Sequence, residues 1–224
     1  MDFDPNEITR YVESFHLNYW EGFTESDVDD FVSSIDTKRV PEFDYDAGAT
    51  KLVIMPENRD YVIKIPFSGL YNEWGDYIPF NGAEDDGYGD DYCEAEQLYY
   101  NEARKAGYGK FFMKVFCVGS SCSYPVYVQE KVDEFCRYTC IAHQKKHTSD
   151  ESLKTVVSNH LDDKMQLPKI WLASCLTAFE GDEQKLMNFI KFLDDTGIKT
   201  DLHAGNLGYF KGHPVIIDYG GYHE

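Results

Sequence analysis

Positive charge is scarce in this chain of 224 residues. It has 21 Lys and Arg residues against 40 Asp and Glu residues, which gives a formal net charge of −19 at pH 7. Nucleic acids and anionic membrane surfaces select Lys and Arg, so this balance argues against both as general partners. The excess of acid indicates a well-solvated surface first, and it also fits a basic protein partner or mimicry of a nucleic acid.

Long apolar runs are missing as well. No run reaches the ~18 residues that a membrane-spanning helix requires. The first residues, Met-Asp-Phe-Asp-Pro, have neither the basic region nor the apolar region of a signal peptide. We therefore expect no membrane partner, a cytoplasmic location and reduced thiols at the six cysteines.

The distribution of apolar residues predicts an α+β fold with three parts. Residues 1–40 are a helical extension, because Val28, Phe31, Val32 and Ile35 share one helical face. Residues 41–132 are rich in β-branched strands, and residues 133–224 are mostly helical. Within the second part, residues 68–92 form an acidic, glycine-containing insert, which we interpret as a loop and a docking surface for a basic partner.

A group of polar residues near the end of the sequence suits metal-dependent chemistry. Asp201 and Asn206 lie five positions apart on a predicted loop, and two apolar runs joined by a Lys-Gly turn follow them. Such a hairpin brings Asn206 and Asp218 together at one end. Their oxygen atoms suit Mg²⁺, and Asp201 is left to accept a proton from a hydroxyl group. The alternative is a simple turn at Asn206 and a strand end at Asp218.

The pattern Asp201…Asn206…Asp218-Tyr219-Gly220 resembles the catalytic loop and metal motif of the protein-kinase-like superfamily, which ends in Asp-Phe-Gly. It is also similar to aminoglycoside phosphotransferases and to the small kinases of tailed phages. The resemblance covers about Phe43 to Gly220, and the sequence ends soon afterwards, so we expect a truncated, minimal member. It implies a two-lobed fold, with an antiparallel sheet and a helix in the N-lobe and a reduced, mostly helical C-lobe.

The resemblance implies roles for the residues of this motif. Asp201 positions the accepting hydroxyl, and Asn206 and Asp218 bind Mg²⁺. His203 neutralises the transferred phosphoryl group, where the family often has Lys or Arg.

Lys64 lies inside an apolar strand, where a lysine needs a partner or a ligand. The resemblance implies that Lys64 binds the phosphates of ATP and pairs with a Glu on the next helix. Glu96 is the first candidate for this partner, followed by Glu94 and Glu102. The alternative is an edge-strand lysine that points to solvent.

Two backbone segments complete the implied nucleotide site. Gly48 and Ala49 take the place of the glycine-rich loop, but a single glycine predicts thinner coverage of the phosphates. The resemblance implies that the Gln129 side chain lies at the back of the adenine pocket. The backbone of the three residues that follow then binds the adenine edge: Glu130, Lys131 and Val132.

The first functional hypothesis is therefore an ATP- and Mg²⁺-dependent phosphotransferase. Its substrate is a protein hydroxyl or a small molecule, and the favoured form is a minimal Ser/Thr protein kinase that acts on host proteins or on itself. If it is phage-encoded, as the similarity to phage kinases suggests, it acts in the host cytoplasm. The alternative is a catalytically weak pseudokinase that serves as an acidic protein-interaction module. A nucleic-acid mimic ranks third.

Overall fold

The chain divides into two units, and each contains two separate segments. A computed structural model describes residues 3–13, 23–71, 74–79, 92–119, 125–135, 145–159, 168–198 and 202–220. The first unit comprises Met1–Gln97 and Lys114–Lys131, and the second comprises Leu98–Met113 and Val132–Glu224.

An antiparallel sheet of five strands forms the first unit, in the order β1-β2-β3-β7-β6. The sequence-based expectation of an α+β chain with an antiparallel N-terminal sheet is confirmed. Residues that favour extended backbone dominate the central strands. The strand bounds are β1 (Phe43–Ala47), β2 (Lys51–Pro56), β3 (Tyr61–Pro66), β6 (Val115–Gly119) and β7 (Val126–Glu130).

Two N-terminal helices share one core with this sheet. Helix α1 (Pro5–Val12) begins at Asp4, whose carboxylate accepts the N–H of Asn6 at 2.9 Å. Helix α2 (Val28–Ser34) follows a turn in which the Thr24 N–H donates to Asp27 Oδ2 at 2.9 Å. Buried side chains of the two helices and of β2 and β3 form a single cluster, with these members: Ile8, Tyr11, Phe31, Leu52, Ile54, Ile63 and Ile65.

Part of the segment predicted as an acidic loop is regular structure. Strands β4 (Gly69–Tyr71) and β5 (Tyr77–Pro79) form a two-stranded antiparallel sheet. A methyl group at Gly69 would lie 2.5 Å from the Ile78 carbonyl oxygen, so a glycine permits this close approach. Residues 72–73 and 80–91, with most of the acidic side chains, lie outside the described residues.

Helix α3 (Tyr92–Lys105) contributes to both units, since the division falls after Gln97. It ends at Gly107, whose φ of 87° suits glycine and whose N–H donates to the Arg104 carbonyl at 3.2 Å. Gly107 therefore terminates α3 two residues after Lys105.

The second unit combines helices with a three-stranded sheet. The helices are α4 (Asp150–Asn159), α5 (Lys169–Ala178) and α6 (Glu183–Asp195), and the strands, in the order β10-β9-β8, are β8 (Asp133–Glu134), β9 (Leu207–Phe210) and β10 (His213–Ile216). Four apolar residues at helical spacing form the buried face of α6: Leu186, Phe189, Ile190 and Leu193. No helix in the described ranges combines the length and apolar character that crossing a bilayer requires.

Candidate functional site

The pairing of β2 with β3 puts two lysines on one face of the five-stranded sheet. Lys51 lies opposite Pro66, and Val53 lies opposite Lys64. Directly paired residues share a face, and side chains alternate with a period of two, so Lys51 and Lys64 point the same way. The N-terminal helices cover the opposite face, which carries Leu52 and its buried neighbours.

Helix α3 brings a carboxylate to these lysines. Lys64 Nζ donates to Glu96 Oε2 at 2.8 Å and to Oε1 at 3.1 Å. Glu96 is fully buried and Lys64 is 3% exposed, whereas Glu94 and Glu102 are exposed. The structure thus pairs Lys64 with the first candidate from the sequence, and the solvent-facing alternative is wrong. Phosphate binding by Lys64 stays a prediction.

Lys51 is a member of this cluster that the sequence did not reveal. Its Nζ lies 2.9 Å from Glu96 Oε1, the oxygen that also accepts from Lys64, and the residue is 3% exposed. The sequence offered one signal, because Lys51 and Lys64 lie on either side of the turn that joins β2 to β3. Using this signal requires knowing which residues of the two strands pair, and apolar periodicity alone does not give that register. We call Lys51, Lys64 and Glu96 the lysine–glutamate cluster.

The turn between β1 and β2 is short and exposed. The Gly48 N–H donates to the Lys51 carbonyl at 3.0 Å, and the Phe67 N–H donates to the Thr50 carbonyl at 2.8 Å. A methyl group at Gly48 would meet no atom within 4 Å, and Gly48 is not among the glycines with positive φ. The local backbone therefore does not require glycine here, and a role of Gly48 and Ala49 over phosphates stays a prediction.

The strand predicted to lead into the adenine-binding segment is β7. Gln129 is buried and, paired with Val62, shares the face that carries Lys64. The Lys131 N–H donates to the Asp60 carbonyl at 2.9 Å, so this donor is engaged within the sheet. Adenine binding by the backbone of Glu130, Lys131 and Val132 stays a prediction.

The hairpin that the sequence predicts near its end is present in the second unit. Strands β9 and β10 pair from Phe210–His213 to Leu207–Ile216. Lys211 and Gly212 form the turn, with φ values of 51° and 80°. Positive φ at both central residues is what a type I′ turn needs, and this turn follows the right-handed twist of paired strands.

The open end of the hairpin holds the two predicted metal ligands. The Ile217 N–H donates to the Asn206 carbonyl at 2.9 Å, which extends the ladder by one bond and brings the Asp218 backbone next to Asn206. Asn206 is 8% exposed and Asp218 is half-buried. Asp201, the predicted catalytic base, lies outside the described residues.

His203 caps the helical turn that contains Asn206. Its Nδ1 accepts the Gly205 N–H at 3.1 Å. A methyl group at Gly205 would lie 2.9 Å from His203 Cε1, which explains the glycine. With Nδ1 engaged in this cap, Nε2 is the ring nitrogen that can donate to a ligand. The neutralising role of His203 stays a prediction.

The residue types at the hairpin end suit Mg²⁺. Within the described ranges, no three His, Cys, Asp or Glu side chains converge as a metal site would need. Asn206 and Asp218 contribute an amide oxygen and a carboxylate, both of the hard-oxygen type that Mg²⁺ takes, and Mg²⁺ retains several waters. Two protein ligands are thus compatible with Mg²⁺ that is bound together with a phosphate.

Comparisons with protein-family models, with curated proteins and with solved structures gave no match for this chain. The features of the chain that bear on its function are the lysine–glutamate cluster and the hairpin end.

Proposed function

We propose that the protein is an ATP-dependent phosphotransferase of the protein-kinase-like type, in the form of a minimal Ser/Thr protein kinase. The observation that carries the proposal is the buried Lys64–Glu96 ion pair. A buried charge is costly unless it is paired or serves a ligand, and a lysine held by a helical Glu presents its ammonium group in a fixed position.

The hairpin end supports the same assignment independently. Asn206 and Asp218 are twelve positions apart in sequence, yet the backbone bond between Asn206 and Ile217 makes them neighbours. Their oxygen donors match the requirements of Mg²⁺ bound with a polyphosphate. The proposal therefore assigns Asn206 and Asp218 to the metal ion.

Each proposed role is within the chemistry of the side chain that carries it. Lys64 holds phosphate oxygens, and Glu96 keeps the Lys64 ammonium in place. Asp201 orients the accepting hydroxyl and takes its proton, and His203 donates a hydrogen bond from Nε2. When bound, Mg²⁺ neutralises charge on the phosphates.

The proposed phosphoacceptor is a protein hydroxyl, on a host protein or on this chain. A phage-encoded kinase acting in a host cytoplasm is the corresponding biological setting. These parts of the proposal depend on the motif resemblance alone.

Transfer of the γ-phosphate from labelled ATP tests the proposal. Wild-type protein with Mg²⁺ should label itself or proteins of a cell extract. Asp218→Ala should reduce labelling by about 100-fold or more, since a catalytic metal contributes several kcal/mol. The matched control is Asp195→Ala, which removes an exposed carboxylate paired with Lys191 at 2.6 Å and should leave labelling unchanged. No labelling by a folded wild-type protein contradicts the proposal.

A pseudokinase that acts as an interaction module is the second candidate. The Lys131 N–H, engaged with Asp60, favours it, because this donor is withdrawn from the predicted adenine-binding backbone. The net charge of −19 suits a basic protein partner. Asp201→Ala separates the two candidates. If the effect of the protein on the host cell survives this substitution, the interaction module is supported. Loss of that effect supports the kinase.

A further inference from the structure

The Glu96 carboxylate contacts two ammonium groups, that of Lys64 and that of Lys51. Both Lys51 Nζ and Lys64 Nζ are within hydrogen-bond distance of Glu96 Oε1, at 2.9 and 3.1 Å. Two cations close together in a buried environment repel each other more strongly than in water. Pairing Lys64 with Glu96 does not require Lys51, so its burial here needs a separate explanation.

The position of Lys51 in the chain suggests that explanation. It is the first residue of β2 and directly follows the turn that takes the place of a glycine-rich loop. That turn has one glycine, Gly48, and its N–H already donates to the Lys51 carbonyl, so it is not offered to a phosphate oxygen. A lysine at this point supplies positive charge where the loop supplies little.

We infer that Lys51 is a second phosphate-binding residue of the nucleotide site, and that it acts with Lys64 in place of a glycine-rich loop. This inference rests on the proposed function. The ligand class it requires is a nucleoside di- or triphosphate, because a polyphosphate carries enough negative charge for two ammonium groups. Glu96 then holds both lysines at a fixed separation before the ligand binds.

Binding of adenosine, ADP and Mg-ATP by calorimetry tests the inference. Lys51→Met should weaken ADP and ATP binding by about tenfold or more, as loss of a charge-assisted contact does, and should leave adenosine binding unchanged. Lys51→Arg should retain most of the affinity, and Lys64→Met should resemble Lys51→Met. The matched control is Lys38→Met, an exposed lysine of the same unit, which should bind as wild type does.

The outcomes distinguish this inference from the proposed function. ATP binding that is normal in Lys51→Met but weak in Lys64→Met overturns the inference and leaves the kinase proposal standing. Equal weakening for adenosine and ATP also overturns it, because Lys51 then acts through the fold. A folded wild-type protein that binds no nucleotide contradicts the proposed function itself, and the inference with it.

A labelling experiment on the wild-type protein covers the case in which Lys51→Met does not fold. An acyl phosphate of ATP transfers its acyl group to a lysine amine near the phosphates, which forms an amide and releases ATP. We expect acyl groups on both Lys51 and Lys64, identified by peptide mass and suppressed by excess ATP. Acylation of Lys64 without Lys51 contradicts the inference.

Discussion

Tyr219 occupies the position of Phe in the Asp-Phe-Gly motif that the sequence resembles. It is fully buried, its hydroxyl donates to the Met113 carbonyl at 2.6 Å, and its ring contacts Phe112 edge-on at a centroid distance of 5.1 Å. This anchor lies next to Asp218 in the chain, so it restricts where the Asp218 carboxylate can point. A residue of the core thereby supports a predicted metal ligand.

Tyr219→Phe should lower the free energy of unfolding by about 1 kcal/mol, because it removes one buried hydrogen bond and keeps the ring. Urea denaturation measures this loss. The matched control is Tyr45→Phe, which removes an exposed hydroxyl bonded to Asp29 at 3.2 Å and should cost almost nothing. Equal losses in the two variants would show that the Met113 bond does not stabilise the fold.

Glu7 should make the stability of the first unit dependent on pH. Its carboxylate accepts from Arg59 Nε at 2.8 Å, from Arg59 Nη2 at 2.7 Å and from the Tyr61 hydroxyl, and the Arg59 hydrogen bonds lower the pKa of Glu7. A lowered pKa stabilises the fold above the unfolded value of about 4.3, and the contribution disappears as pH falls through the folded value.

Glu7→Gln should therefore destabilise the protein at pH 7 and have a smaller effect at pH 3, as measured by urea denaturation at both values. Glu151→Gln is the control, because Glu151 is exposed and its contact with Lys154 is 3.5 Å long. A penalty for Glu7→Gln that is the same at both pH values would contradict a role for the ionised carboxylate.

The lysine–glutamate cluster shows how far residue-level prediction reached. A lysine inside an apolar strand signals a need for a partner, and this signal, with the motif, led to Lys64 and Glu96. Lys51 gave no such signal, since a lysine at the start of a strand is ordinarily solvated. The backbone bond between the Lys131 N–H and the Asp60 carbonyl depends on tertiary geometry, which no local pattern encodes.

The turn between β9 and β10 is the element on which the hairpin end depends. Gly212 has a φ of 80°, in the region where residues with a Cβ are strained. Gly212→Ala should lower the free energy of unfolding by about 1 kcal/mol or more, as measured by thermal or urea denaturation. Lys211→Asn should be neutral or stabilising, because Asn tolerates positive φ.

Gly48→Ala is the control for this prediction. Gly48 has open space around it and no positive φ, so alanine there should change stability by less than about 0.5 kcal/mol. An equal effect of alanine at Gly48 and at Gly212 would contradict the conformational explanation.

Helices and strands whose apolar residues recur at a regular spacing were predictable from the sequence, and elements without such a pattern were not. The stripe of α6, the strands β2 and β3 and the last hairpin all follow from spacing and turn residues. Strands β4 and β5 have three residues each, too few to show an alternating pattern. The partition of α3 between two units depends on contacts distant in sequence, so no local signal marks it.

At the scale of the whole molecule, the kinase proposal assigns roles to residues of both units, with Lys64 in the first and Asp218 in the second. Lys64→Met and Asp218→Ala should each reduce phosphate transfer, and the double variant should be little worse than the poorer single variant. The measurement is the rate of transfer from labelled ATP in all four proteins. Fully additive losses would contradict the assignment of Lys64 and Asp218 to one reaction.

The order of strands in the first unit has a consequence for synthesis on the ribosome. Strand β3 pairs with β2 on one side and with β7 on the other, but β7 begins only at Val126. While the intervening chain is being made, β3 is an exposed sheet edge that carries Ile63 and Ile65. A nascent chain at this stage can associate with other chains, so slow translation through residues 67–125 should increase aggregation and the demand for chaperones.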